Sequence, residues 1–325
     1  MCLGASSRCR SALPLKASWA RLLTGKRPYA VGVAVAFLVG VASLAVVAYT
    51  LPGVDRLAAD NHYAKQLAIR SLGWERANEH VWVTLEQVPL VAICAILFTE
   101  DRSFFVHRGV DWTETWLAIR QAPGRILRGE RLRGASTIAQ QLARTLYLSP
   151  RRSPDRKVRE WMLARRIDLT LGKPRTLELY LNTSRWSGTG AGLAAATQEY
   201  FGHDVARITP FEASVLASVL QAPTKSFYGR ELFRRSSLQW RILLQLRSAQ
   251  VIDSAEAYAG LVAVHAFNSE LRNDGSLAEA MTQARLMERL GTREIGYPEI
   301  VQPATIAARC KLNEASHTTA APKTP

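Results

Sequence analysis

Two adjacent carboxylates, Glu100 and Asp101, close an almost wholly apolar run, Leu90-Val-Ala-Ile-Cys-Ala-Ile-Leu-Phe98. Pro89 precedes the run, which reads as a buried helix opened by proline. A carboxylate at the C-terminal end of such a helix is poorly solvated and meets the negative end of the helix dipole. Both effects favour its protonated form and raise its pKa. A general base working near neutral pH needs that shift. The alternative is a core helix that simply ends in water, and this stretch alone does not separate the two.

A second carboxylate site lies among cations. Arg151, Arg152, Arg156, Lys157, Arg159, Arg165 and Arg166 surround Glu160. On a helix starting near Asp155, Val158, Trp161 and Met162 form the apolar face, and Glu160 is expected to point away from it. Arg156 and Lys157, four and three residues before it, share its side, and their charge favours a carboxylate over a carboxylic acid. This suits an orienting or electrostatic role better than proton donation; an ordinary surface ion pair is the bland alternative.

Between these sites, Gly134-Ala-Ser-Thr-Ile-Ala-Gln-Gln-Leu reads as a loop entering a helix, with Ser136 as its N-cap. Ile138, Leu142 and Leu146 face the core, and Gln140 and Arg144 share another face. Free backbone N–H groups followed by an arginine make an anion site, or else a capped helix with a solvated polar face. Further on, Gly172 stops a helix and Pro174 restarts one, placing Glu178 and Asn182 on one face. Thr209-Pro-Phe-Glu212 is a capping box opening a helix through Leu220, with a purely structural role.

The chain that must position these groups has 325 residues, 48% of them apolar, enough for one sizeable domain with extensions. Its net charge of +15, from 42 Lys+Arg against 27 Asp+Glu, calls for an anionic partner. Residues 1–28 form a basic tail. Residues 29–51, YAVGVAVAFLVGVASLAVVAYTL, carry no charge and exceed the about 20 helical residues that cross a bilayer. The basic flank puts the N-terminus in the cytoplasm and the remainder outside; a cleaved signal peptide is the minor alternative. Residues 52–84 form a stalk or lead-in, and 85–265 the functional domain, mainly helical because no run alternates cleanly. Residues 266–325 are a C-terminal extension with a disordered end. The four cysteines show neither metal spacing nor a disulfide framework, and Cys94 reads as a small buried apolar residue. Few aromatics interleave the basic cluster, which argues against nucleic acid.

Taken in order, the clusters resemble the glycosyltransferase domain of class A penicillin-binding proteins, and more closely the monofunctional biosynthetic peptidoglycan transglycosylases. The matching motifs are Glu100-Asp-x-x-Phe104-x-x-His107-x-Gly109-x-Asp111, Gly134-x-Ser136-Thr137-Ile-x-Gln140-Gln141-Leu, Arg156-Lys157-x-x-Glu160 and Leu177-Glu178-x-Tyr180-Leu181-Asn182. Ala135 and Ser187 stand where glycines are usual, Arg144-Thr145 where Lys-Asn is usual, and Arg159 where lysine is usual. The resemblance implies a lysozyme-like, mainly α fold with one N-terminal transmembrane helix, on the outer side of a bacterial cytoplasmic membrane. It implies polymerisation of lipid II into β-1,4-linked glycan with inversion and release of polyprenyl pyrophosphate. Glu100 would be the general base and Glu160 would assist at the pyrophosphate. Ser136, Gln140, Gln141, Arg144, Arg152, Arg156, Lys157 and Arg159 would contact substrate. Asp101, Phe104, His107, Asp111, Glu178 and Asn182 would support the site. The implied partners are lipid II, the growing strand, the membrane and cell-wall synthesis or division proteins. No cofactor is required, and a divalent metal is left open. A catalytically weak scaffold and a lysozyme-like hydrolase are the competing classes.

Overall fold

The computed structural model describes residues 27–72, 81–130, 134–149, 151, 153–186, 192–220, 235–273, 276–291 and 302–312, with side chains from residue 31 onward. The chain divides into two compact units, Met1–Leu51 and Pro52–Pro325. The first contains one described helix, α1 (Arg27–Thr50), whose stretch Val31–Thr50 has a mean hydropathy of 2.6. Its length and composition fit a membrane anchor or a signal.

The second unit is all helical among the described residues. Its elements are α2 (Asn61–Leu72), α3 (Leu90–Glu100), α4 (Trp112–Leu127), α5 (Ile138–Tyr147), α6 (Pro154–Thr183), α7 (Leu193–Phe201), α8 (Pro210–Leu220), α9 (Ser236–Ser248), α10 (Ser254–Arg272), α11 (Leu277–Gly291) and the short α12 (Ile306–Arg309). The expected mainly helical fold is what the structure has. Pro89 is the N-cap of α3, as its place before the apolar run predicts. Pro123 and Gly124 lie inside α4.

Two helices form the centre. In α3, every residue from Leu90 to Leu97 is buried, and in α8 every residue from Phe211 to Leu220 is. Helices apolar on all sides must be enclosed by others. Here α3 packs on α8, α9 closes over both, and α10 lies against α8 and α9. The lead-in helix α2 packs on α5 and α6, and α5 packs along α6. Gly172, at φ +71°, breaks α6 into two helical segments, at the stop and restart expected there.

The C-terminal helices are tied to this centre in two ways. Cys94, in the middle of α3, forms a disulfide with Cys310, and both residues are fully buried. This corrects the reading of Cys94 as a plain apolar residue. The partners are 216 residues apart, so local spacing gave no sign of the pair. On α11, the buried Glu288 accepts hydrogen bonds from Thr209 Oγ1 at 2.8 Å and Phe211 N at 3.0 Å, capping α8. Arg285 bridges Glu212 Oε1 at 2.9 Å and the Phe201 carbonyl, and His203 Nε2 lies 3.0 Å from both Glu212 oxygens. Thr209 and Glu212 also exchange the reciprocal bonds of the expected capping box. The expected boundary at residue 265 falls within α10, and the tail beyond 312 lies outside the described residues.

Cys310→Ser is expected to lower unfolding free energy by about 2–4 kcal/mol in non-reducing denaturant titrations. Reductant should impose a similar loss on the wild type and little on the variant. Burial raises the Glu288 carboxyl from 4.5 to about 7, so the folded state holds its proton more tightly than the unfolded chain. The resulting stability is full below pH 4.5 and is lost as pH rises toward 7. Thermal unfolding of Glu288→Gln should therefore shift in the variant's favour, relative to wild type, across that window.

Candidate active site

The end of α3, the loop 101–111, the start of α5 and the first half of α6 meet at one place. Asp101 makes the junction. Its Oδ2 accepts the Ile138 backbone N–H at 2.9 Å, and His107 Nε2 lies 3.0 Å from both its oxygens. Asp111 caps α4 by accepting from Glu114 N at 2.8 Å, and also accepts from the Ser103 hydroxyl. Phe104 is fully buried, with Lys173 Nζ 4.8 Å from its ring centroid. Lys173 Nζ also donates to the His107 carbonyl at 2.6 Å and to Asp168 Oδ1 at 2.5 Å. This lysine follows the Gly172 break, and sequence reasoning missed it because no local pattern links residues 107 and 173.

Gly109 lets the loop reach α6. Its φ is +83°, and a Cβ there would overlap the Ala164 carbonyl. The Gly109 carbonyl accepts from Thr137 Oγ1 at 2.6 Å. Thr137, not Ser136, is the N-cap of α5, and it shares a capping box with Gln140. Gln140 is accordingly fully buried, with Oε1 accepting Thr137 N at 2.8 Å and Nε2 buried without a partner. Ser136 instead accepts from Lys157 Nζ at 3.2 Å.

Glu100 keeps its two oxygens in different states. Oε2 accepts from Gln141 Nε2 at 2.8 Å, while Oε1 is buried with no hydrogen-bond partner. Burial is the largest influence and raises its pKa; the Gln141 bond opposes this, nearby Asp101 adds to it, and Arg144 and Arg235 lower it. The direction agrees with the sequence expectation. Arg235, just before α9, is a contributor no sequence pattern announced. Gln141, expected on substrate, contacts the carboxylate, and its Oε1 accepts from Tyr180 O–H at 3.3 Å.

Glu160 differs from expectation in burial but not in company. It is fully buried, yet Arg156 Nη1 reaches Oε2 at 3.1 Å and Lys157 Nζ pairs with Oε1. A helical wheel places it away from the apolar face but does not register the neighbours packed along α6, α5 among them. Arg156 Nε is buried and unpartnered. Arg159 lies close enough to act on the charge of Asp155. Arg152 lies outside the described residues. Glu178 and Asn182 brace the lead-in: Glu178 Oε1 accepts from Trp82 Nε1 at 3.1 Å and Arg175 Nη1 at 2.5 Å. Asn182 bonds both backbone groups of Val83, at 2.9 and 2.7 Å.

A desolvated carboxylate at the end of α3 and a second carboxylate held by two cations on α6 are thus carried by one helical unit. The Transglycosylase family profile matches residues 65–246, and the chain belongs to that family. The biosynthetic peptidoglycan transglycosylase of Rhizobium leguminosarum bv. trifolii (strain WSM2304) is 34% identical over 169 residues, 52% of this chain and 71% of that protein. That of Rhodopseudomonas palustris (strain HaA2) is 41% identical over 143 residues, 44% of this chain and 62% of that protein. Penicillin-binding protein 1A of Escherichia coli (strain K12) is 42% identical over 142 residues, 44% of this chain, and the match spans only 16% of that longer protein.

Gly109→Ala should destabilise the fold by about 3 kcal/mol or more, since both the dihedral and the Ala164 contact oppose a side chain. Urea unfolding checks this.

Proposed function

We propose that this chain is a peptidoglycan glycosyltransferase that polymerises lipid II into β-1,4-linked glycan. The observation that carries the reading is the bare, buried Oε1 of Glu100, in a chain of the Transglycosylase family. Glu100 takes the proton from the acceptor 4-hydroxyl as that oxygen attacks the donor anomeric carbon. The bond from that carbon to pyrophosphate breaks, the configuration inverts, and polyprenyl pyrophosphate leaves with its electron pair. Fixed cations lower the barrier by stabilising charge that develops on the leaving group. Ser136, Arg144, Arg152, Arg156, Lys157 and Arg159 are the residues proposed to meet the phosphates and sugars. Glu160 holds Arg156 and Lys157 in place. Those two cations already occupy its oxygens, so a metal bound there would have to displace them.

The substrate is lipid-linked, and α4 supports a membrane-facing role for this unit. Trp112, Trp116, Ile119, Ile126 and Leu127 are exposed along it, with Arg120, Arg125 and Arg128 among them. In this reading α1 is a retained anchor and the second unit works on the outer side of the cytoplasmic membrane, where the Cys94–Cys310 disulfide can persist.

Purified full-length protein given lipid II, with and without divalent ions, should make polymeric glycan. Glu100→Gln should reduce the rate by about 10²–10⁴-fold, the usual weight of a general base, with the helical circular dichroism unchanged. Polymerisation by Glu100→Gln at the wild-type rate would overturn the base assignment. A wild type that binds lipid II without polymerising it would indicate a scaffold, and one that digests preformed glycan would indicate a hydrolase.

A further inference from the structure

Gln141 joins Glu100 to Tyr180, and the bonds run in one direction. The Tyr180 hydroxyl, on α6, donates to Gln141 Oε1 at 3.3 Å, and Gln141 Nε2, on α5, donates to Glu100 Oε2 at 2.8 Å. Tyr180 is buried, and the Ser184 side chain interacts with the same hydroxyl. An amide side chain has an acceptor end and a donor end. If this one flipped, its oxygen would face the Glu100 carboxylate, and two acceptors would meet in a poorly solvated place. That arrangement is tolerable only when Glu100 carries a proton.

We propose that Tyr180 is a positioning residue: by donating to Gln141 Oε1 it holds the amide with Nε2 toward Glu100, so that Oε2 is engaged and the carboxylate is held in one orientation to accept the substrate proton. The proposal rests on Glu100 being the general base. Burial first, and then the Glu100 charge, push the Tyr180 phenol well above its ordinary value, so the hydroxyl stays a donor throughout the working range. The Gln141 bond opposes the burial that raises Glu100. The other charges acting on Glu100 are Asp101 beside it, Arg144 on α5 and Arg235 before α9. Tyr180 thereby acts on the base through an intermediate side chain. Gln141 is given a role distinct from the substrate contact expected for it.

The test is the pH dependence of kcat/KM for lipid II polymerisation by the full-length protein. In Tyr180→Phe the amide loses its anchor, the protonated form of Glu100 gains, and the acid limb should move about one pH unit upward, a tenfold loss on that limb. KM should stay within about twofold, because no substrate contact is removed. Gln141→Leu should move the limb at least as far, and the double variant should go no further than Gln141→Leu alone, since both changes break one chain. Thermal unfolding confirms that each variant is folded. If Gln141→Leu does not fold, the Tyr180→Phe profile decides alone. A Tyr180→Phe limb that coincides with wild type, or shifts that add in the double variant, overturns the proposal. Glu100→Gln is run alongside. If it still polymerises at the wild-type rate, the base assignment falls and takes this proposal with it. If it is inactive and the Tyr180→Phe limb has not moved, only the positioning role falls.

Discussion

Asp101 carries the constraint on which the site depends. One short, buried side chain accepts the first backbone N–H of α5 and contacts His107, so the end of one helix, the start of another and the loop between them share a single anchor. A buried carboxylate without its partners is costly, which makes the alternatives to this arrangement poor. The neighbouring Glu100 inherits its position from the junction. It sits beside Asp101, at the end of a helix that packs on α8 and α9. The loop then needs Gly109 to approach α6, and this approach brings the cationic first half of α6 into the same site.

The two glutamates show how burial and partners give one residue type two characters. Glu100 has a single neutral donor on one oxygen and nothing on the other. Glu160 is fully buried and has a guanidinium and an ammonium on its two oxygens. An uncompensated desolvated carboxylate attracts a proton, whereas a compensated one organises the cations around it. The two carboxylates thus differ in partner geometry: one has a neutral amide donor, the other two cations.

Much of this was legible along the chain because it is local. Apolar continuity marked α3, Pro89 marked its start, Gly172 and Pro174 marked the break in α6, and Thr209 with Glu212 marked the cap of α8. The order of the carboxylate and basic clusters identified the family that the profile match then showed. What was hidden is set by contacts between distant residues. Ser136 is at least as good a cap by type, yet Thr137 takes the place, and its hydroxyl also donates to the Gly109 carbonyl. Selecting Thr137 also turns Gln140 inward and frees Gln141 for Glu100. Glu160 is buried by tertiary packing that a single-helix projection does not contain. Arg235, Lys173 and the Cys94–Cys310 pair have no short-range signature at all.

The profile match ends at residue 246, two residues before α9 ends. Beyond that point lie Glu288 and Arg285, which cap α8 and grip α7, and Cys310, which is covalently bound to the helix bearing Glu100. A fragment trimmed to the match would leave a free thiol in the interior and strip the cover from the central helix. The matched stretch therefore leaves out helices that are bonded to the core of this unit. In this chain the C-terminal helices are part of the catalytic core's architecture, and a boundary drawn from sequence similarity would cut through it.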